Sequence, residues 1–285
     1  MSRHVVITGA STGIGRAAAE DLLQRGYCVY GSVRKQADAD RLQAALGPNF
    51  MPLLFDVTDA AAVRAEAARL TDHLGGAGLA GLVNNAGVAI SGPLQHVPLD
   101  EFRWQLEVNV TGALAVTQAF LPLLGAGFPQ VHPPGRVINI SSVSGRIVYP
   151  FFGPYAASKH ALEAMSHALR RELRIYGIDV IIIGPGSVRT PIWDKAEEEG
   201  SSMYEATDYG PTYARLLQGA VKRGKRAQPV EVVNKAIRHA LESPRPKTRY
   251  ALPSRRLSGW LLPLWLPDRW LDRVMASNTG LKRRR

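Results

Sequence analysis

The chain has 285 residues, 46% hydrophobic and 21% charged, the proportions of an ordinary globular protein with room for a substantial core. A single cysteine, Cys28, excludes an internal disulfide framework and a cysteine-ligated zinc site. The net charge of +11 is uneven: eleven of the 35 basic residues, but only two of the 24 acidic ones, lie from Arg245 onward, so the charge describes a tail and gives no reason to expect a nucleic-acid partner.

The chain opens on an apolar run, "HVVIT" (4–8), which is expected to leave no room for a signal peptide or anchor helix ahead of it. Further buried strands are predicted at 28–33, 50–55, 79–84, 136–141 and 179–184. Between them, helical composition fills 13–25, 38–46, 59–74, 99–124 and about 154–176. Asp59 suits an N-cap and the Gly75–Gly76 pair a helix stop. This alternation predicts an α/β fold, a doubly wound parallel sheet of Rossmann type with helices on both faces. Residues 187–228 break the rhythm with polar, glycine-rich sequence directly after a strand end, where ligands bind in open α/β sheets. They form a candidate substrate lid, the plainer alternative being a surface excursion. One catalytic domain over 1–252 and an extension over 253–285 are expected. No run of about 18 apolar residues occurs, so no transmembrane helix and a cytoplasmic location are expected.

Gly9, Gly13 and Gly15 stand at the first strand–helix junction, where glycines allow a tight turn and the helix N-terminus offers free N–H groups to a phosphate. The spacing is G-x-x-x-G-x-G, and with Thr8, Ser11, Thr12 and Ile14 it resembles the cofactor loop of the short-chain dehydrogenase/reductase family. Four further motifs of that family follow in order: "NNAG" (84–87), Asn109 in "EVNVTGAL", "NISSVSG" (139–145) ahead of "YAASK", and "PG" (185–186) followed by Thr190. The resemblance covers about residues 3–252 and implies an oxidoreductase working on a carbonyl–alcohol pair.

In dinucleotide folds an acidic residue ending the second strand holds the adenosine ribose. Here Val33 stands at that place in the family pattern, followed by Arg34 and Lys35. A guanidinium forks onto a 2′-phosphate that a carboxylate would repel, which predicts NADP(H) over NAD(H), with Arg34 as the main contact and Ser11 and Lys35 beside it. A solvated strand-end charge is the plainer alternative for Arg34. By resemblance, Asp56 meets the adenine amino group with Val57 next to it. Asn84, Ala86 and Gly87 line the adenosine and its ribose, and Pro185, Gly186, Val188 and Thr190 complete the cofactor side.

In "GPYAASKHA" (153–161), Tyr155 and Lys159 are four residues apart and share a helix face. Alone this is a weak pattern, since any amphipathic helix can carry it. A free tyrosine titrates near 10, and a neighbouring cation lowers that value. The resemblance makes Tyr155 the acid/base and Lys159 its tuner. It makes Ser142, thirteen residues upstream, the catalytic serine that meets the substrate oxygen, with Ser141 structural. Asn109 matches the position that holds a water in the proton relay, though such an asparagine also suits a helix kink or cap. The seven histidines show no metal-ligand spacing, and no metal is expected.

"GRIVYPFFGPY" (145–155) places Ile147, Val148, Tyr149, Phe151 and Phe152 between serine and tyrosine, an apolar wall that argues for a hydrophobic substrate. Val148, Tyr149 and Phe152 are the expected substrate contacts. The stretch resembles the branch containing 17β-hydroxysteroid and retinol dehydrogenases, which implies a steroid-, retinoid- or lipid-like substrate. The alternatives are a cofactor-sensing regulator or a membrane-surface protein on the same fold. Residues 254–285 carry three tryptophans, a leucine cluster broken by Pro263 and Pro267, and flanking arginines. They suit peripheral contact with a membrane surface or closure over the active site or a neighbouring subunit. By resemblance, small-residue faces at 111–124 and 154–176 imply a homodimer or homotetramer.

Overall fold

A computed structural model describes residues 3–281, the side chains of Lys195 and Glu199 excepted. Seven strands form one sheet: β1 (Arg3–Ile7), β2 (Tyr27–Val33), β3 (Phe50–Leu54), β4 (Leu79–Asn84), β5 (Arg136–Ile140), β6 (Asp179–Pro185) and β7 (Arg249–Leu252). Their spatial order is β3-β2-β1-β4-β5-β6-β7 and every pairing is parallel. Strands covered on both faces must be apolar along their whole length, which is why "VVI" and "VIII" appear as unbroken runs.

One face of the sheet is covered by α1 (Gly13–Leu23), α2 (Gln36–Leu46) and α9 (Glu231–Glu242), whose Ala19, Leu22, Leu42, Val233 and Ile237 join Val5, Ile7 and Ile183. The other is covered by α3 (Ala60–Leu74), α5 (Gly112–Phe120) and α6 (Gly153–Glu172), with Leu70, Phe120 and Leu169 on Val6, Leu82 and Val137. Strand order reverses between β1 and β4, so a crevice opens at the C-terminal ends of these strands. The Asp59 carboxylate accepts bonds from the N–H groups of Ala61 and Ala62 at 3.0 Å, and Gly75 closes α3 at φ 55°.

Three regions differ from the predicted elements. The helix expected over 99–124 is α4 (Leu99–Leu106) joined to α5 by a π turn, Glu107–Thr111, in which one extra residue widens the helix around Asn109. The excursion at 187–228 is mostly helical, with α7 (Ile192–Glu199) and α8 (Gly210–Lys225), and its Tyr213 packs on Phe151 and on its own Tyr204. Beyond it, α9 and β7 add a helix and an edge strand that had not been expected. After β7 come α10 (Leu262–Trp265) and α11 (Asp268–Thr279), which fold back on α8, where the Arg215 guanidinium donates to the Thr279 carbonyl at 2.7 Å.

Candidate active site

The glycine loop bridges β1 and α1 at the crevice. Gly9 and Gly13 adopt φ 66° and 59°, a left-handed conformation that L side chains rarely take. At Gly15 an added Cβ would lie 2.3 Å from the Gly9 carbonyl oxygen, so the loop can close on the helix only without one. Thr12 precedes α1 with no side-chain cap, leaving the first-turn N–H groups to a ligand. Thr190 stands 3.5 Å from where a Gly13 Cβ would be, which brings the segment after β6 against the loop.

The loop is stapled from β4. The Thr8 hydroxyl accepts from the N–H groups of Asn85 and Ala86 at 2.9 Å, and the Asn85 amide donates to the carbonyls of Thr8 and Gly9. Asn85 was not among the expected site residues although it lies within the "NNAG" motif. Its neighbour Asn84 is turned the other way. The Asn84 amide donates to Thr117 at 2.9 Å and Asn139 at 2.8 Å in a buried network. Val57 and Val188 likewise hold core positions, both under 10% exposed, and Pro185 and Gly186 bond through their backbones to Ser142 and Leu252.

Arg34 and Asp56, expected separately at the adenosine end, face each other across the ends of β2 and β3 at 3.7 Å. The Arg34 side chain is 64% exposed, and the other Asp56 oxygen accepts from Thr58. A surface pair of this kind is worth little, so the guanidinium is free to turn onto an anion. Ser32, beneath, accepts from the Gly9 N–H at 3.0 Å and holds the loop to β2, while Ser11 and Lys35 border the same end. Left-handed glycines, an uncapped helix start and an exposed arginine together fit a dinucleotide phosphate.

Ser142, Tyr155, Lys159 and Asn109 converge at the ends of β5 and α6. Lys159 is buried and donates to the Ile140 carbonyl at 2.9 Å, with its Nζ 5.8 Å from the Tyr155 ring centre. The Asn109 amide donates to the Val88 carbonyl and the Ser158 hydroxyl and accepts from the Val88 N–H, all at 2.9 Å. Gly87 lies between the two groups: a Cβ there would be 3.1 Å from Asn109 Oδ1 and 3.6 Å from Lys159 Nζ. His160 points away and meets the Ala156 carbonyl.

Burial sets the titration of the pair. It raises the Tyr155 hydroxyl, and a hydrogen bond from Ser142 pulls only part of the way back. It lowers Lys159 to about 8, against the charge of Glu163.

Glu163, one turn beyond Lys159 and 3% exposed, is a residue the sequence did not single out. Its carboxylate accepts from the Ser141 hydroxyl at 2.9 Å, from Arg146 Nε at 3.0 Å, and from Arg249 Nη2 and Nε at 2.6 and 3.2 Å. Arg249 also reaches the Ser142 carbonyl at 3.4 Å. The Ser141 hydroxyl is thereby engaged by Glu163, and Ser142 is held from behind.

Beside the first turn of α6 lies a cavity of about 440 Å³ lined by Leu94, Val148, Tyr149, Phe151, Gly153 and Tyr209. Leu271, Asp272 and Met275 of α11 line its outer side. Of the expected substrate contacts, Val148 and Tyr149 line this cavity. Phe152 does not line it. Phe151 does, at φ 68°, with its carbonyl accepting from the Gly92 N–H at 2.7 Å and its ring edge-on to Tyr209 and Tyr213. Ile147 is buried in the interior. A second cavity of similar size, between α7 and α8 around Ser201 and Glu205, is remote from these groups.

Removing the Glu163 carboxylate leaves the Arg249 guanidinium buried without its partner. Glu163→Ala is expected to destabilise the fold by about 3–5 kcal/mol in thermal and urea unfolding. A Glu163→Gln/Arg249→Met double variant recovers most of that loss. Additive losses in the two single variants would show that the pair does not couple.

Residues 3–200 match the family model described as short chain dehydrogenase. The NADPH-dependent 3-dehydrocapnine reductase of Ornithobacterium rhinotracheale is 43% identical over 272 residues, 95% of each chain. Retinol dehydrogenase 5 of Homo sapiens is 37% identical over 95% of this chain and 87% of its own. Among solved structures, a short-chain dehydrogenase from Streptomyces avermitilis superposes with a TM-score of 0.73 at 28% identity, covering 98% of this chain and 96% of that one. With the glycine loop, the Asn109–Ser142–Tyr155–Lys159 constellation and the sevenfold parallel sheet on one framework, the chain belongs to the short-chain dehydrogenase family.

Proposed function

We propose that the protein is an NADP(H)-dependent oxidoreductase interconverting a hydrophobic carbonyl compound and its alcohol, with Tyr155 as the proton-transferring group. The observation that carries this is the convergence of Tyr155, Ser142 and Lys159 beside an apolar cavity, in the same crevice as the glycine loop. Bound NADPH supplies the hydride. The Ser142 hydroxyl donates to the carbonyl oxygen and stabilises charge developing there. The Tyr155 hydroxyl, kept protonated by burial, gives its proton to that oxygen, and Lys159 stands one turn away to restore it. Asn109, fixed by Val88 and Ser158 at the π turn, holds the solvent end of the relay.

NADP(H) is favoured by Val33 standing where an acidic residue would select NAD, with the exposed Arg34 next to it, and by the name of the 43%-identical relative. The substrate class is supported by the cavity wall of Leu94, Val148, Tyr149 and Phe151 and by a relative named for retinol. A steroid-, retinoid- or lipid-like molecule fits such a wall.

NADPH oxidation against a panel of steroid, retinoid and long-chain aliphatic carbonyls tests the reading directly. Tyr155→Phe is expected to lower turnover by at least about 100-fold while NADPH affinity, followed by protein-to-nicotinamide energy transfer, stays unchanged. Full turnover in that variant would refute the proton role. Arg34→Ala is expected to weaken NADPH binding about tenfold or more and to leave NADH nearly unaffected. Equal losses for both cofactors would remove the selectivity assignment. Because Lys159 is charged below about pH 8, carbonyl reduction should fall as pH rises through that value. Glu163 raises the lysine, so Glu163→Gln should move the inflection to lower pH. An inflection that does not move would detach it from Lys159.

A further inference from the structure

The segment after β7 presents apolar side chains to solvent. Trp265 is 83% exposed and Trp270 61%, with Leu257, Leu262, Leu264 and Val274 exposed around them. Arg255, Arg256, Arg269 and Arg273 flank this face, all exposed, and none forms an ion pair among the described residues. Trp260 is turned inward instead, its ring 4.7 Å from the Arg249 guanidinium, and anchors the segment to the sheet.

Helix α11 has two faces. At about 100° per residue, Leu271, Met275 and Thr279 recur on one side and Trp270, Arg273 and Val274 on the other. The first side lines the cavity and meets α8 through Thr279. The second faces outward. Indoles with unpaired arginines around an apolar patch match a bilayer interface, where the ring sits at headgroup level and the guanidinium meets anionic lipid. A second copy fits this face poorly. A twofold contact would set the same patch on itself, bringing arginines against arginines with only Asp268 and Asp272 to oppose them.

We propose that residues 254–281 dock the protein on an anionic lipid bilayer through Trp265, Trp270 and the four arginines, and that the cavity on the inner side of α11 is loaded from the lipid phase. The second half rests on the cavity being the substrate site.

Co-sedimentation of the full chain with vesicles of phosphatidylcholine alone, or with a third phosphatidylglycerol, tests docking without any turnover. Binding is expected on the mixed vesicles, weaker on the neutral ones, and falling with salt. A Trp265→Ser/Trp270→Ser variant, with unchanged circular dichroism and melting, should bind about tenfold more weakly. Arginine-to-glutamine changes at 255, 256, 269 and 273 should each weaken binding to the mixed vesicles about fivefold. Absence of binding to anionic vesicles, or binding indifferent to both sets of changes, overturns the docking. A tryptophan-dependent dimer in sedimentation velocity without lipid would reassign the face to a second copy. For loading, a long-chain ketone held in anionic vesicles should be reduced faster by the native chain than by the Trp265→Ser/Trp270→Ser variant, and a short soluble ketone equally by both. Equal rates on the vesicle-held ketone overturn the loading. If no ketone is reduced at all, the reductase reading fails while the sedimentation result stands.

Discussion

The Glu163 carboxylate gathers donors from three separate parts of the chain: the hydroxyl of Ser141 after β5, the guanidinium of Arg146 in the following loop, and that of Arg249 on the edge strand β7. It lies one turn after Lys159 on α6, so the same helix that carries the tyrosine and lysine also ties down the loop that carries the serine. Gly145 leaves room for this carboxylate, since a Cβ there would come 2.5 Å from Glu163 Oε1. Gly184 does the same for Arg249. Without the cluster, the loop after β5 would be held mainly by backbone bonds such as that from the Ser141 N–H to the Ile183 carbonyl at 2.7 Å. Angular precision at Ser142 therefore comes from a buried charge pair, whose removal on one side costs far more than its replacement by apolar groups.

The same burial explains the chemistry proposed for the site. A tyrosine held neutral is a poor base and a serviceable acid, and a lysine lowered to about 8 exchanges protons readily near neutrality. Both properties favour giving a proton to a carbonyl oxygen. Glu163 limits how far the lysine falls. One carboxylate thus contributes to the geometry of the serine and to the charge of the lysine, and the two effects separate only if structure and pH dependence are measured together.

The sheet was legible because parallel strands buried on both faces must be uniformly apolar, and Tyr155–Lys159 because helical spacing fixes a shared face. What stayed hidden depends on tertiary contacts between neighbours in space. Asn84 and Asn85 are adjacent and chemically identical, and only the packing of β4 decides which amide enters the core and which staples the glycine loop. Phe151 and Phe152 differ by a positive φ that no residue pattern announces. Arg34 meets Asp56 because β2 and β3 are in register, with Val33 beside Leu54. β7 is four residues long and only half buried, so it has no apolar run to betray it, and Arg249 on it looked like one more basic residue of the tail. In α9 the helical spacing of Val233, Ala236, Ile237 and Ala240 was present, but it followed a polar excursion that broke the strand–helix rhythm.

The outer wall of the cavity is held differently from its floor. Val148, Tyr149 and Phe151 are fixed between β5 and α6, where the Glu163 cluster and the sheet restrain them. Leu271 and Met275 belong to a C-terminal segment attached through the Arg215–Thr279 bond, the packing of Leu281 on the Phe151 and Tyr213 cluster, and Trp260 on Arg249. Much of the segment's apolar surface is exposed, Trp265 and Trp270 included, and elements with few buried apolar contacts open at low free energy. The outer lining of the cavity thus belongs to the segment that carries the exposed tryptophans, while the catalytic groups rest on the sheet and α6. Trp260 joins the two, because it covers the very guanidinium that reaches the Ser142 carbonyl. The serine and the outer lining of the cavity are therefore linked through that indole on Arg249.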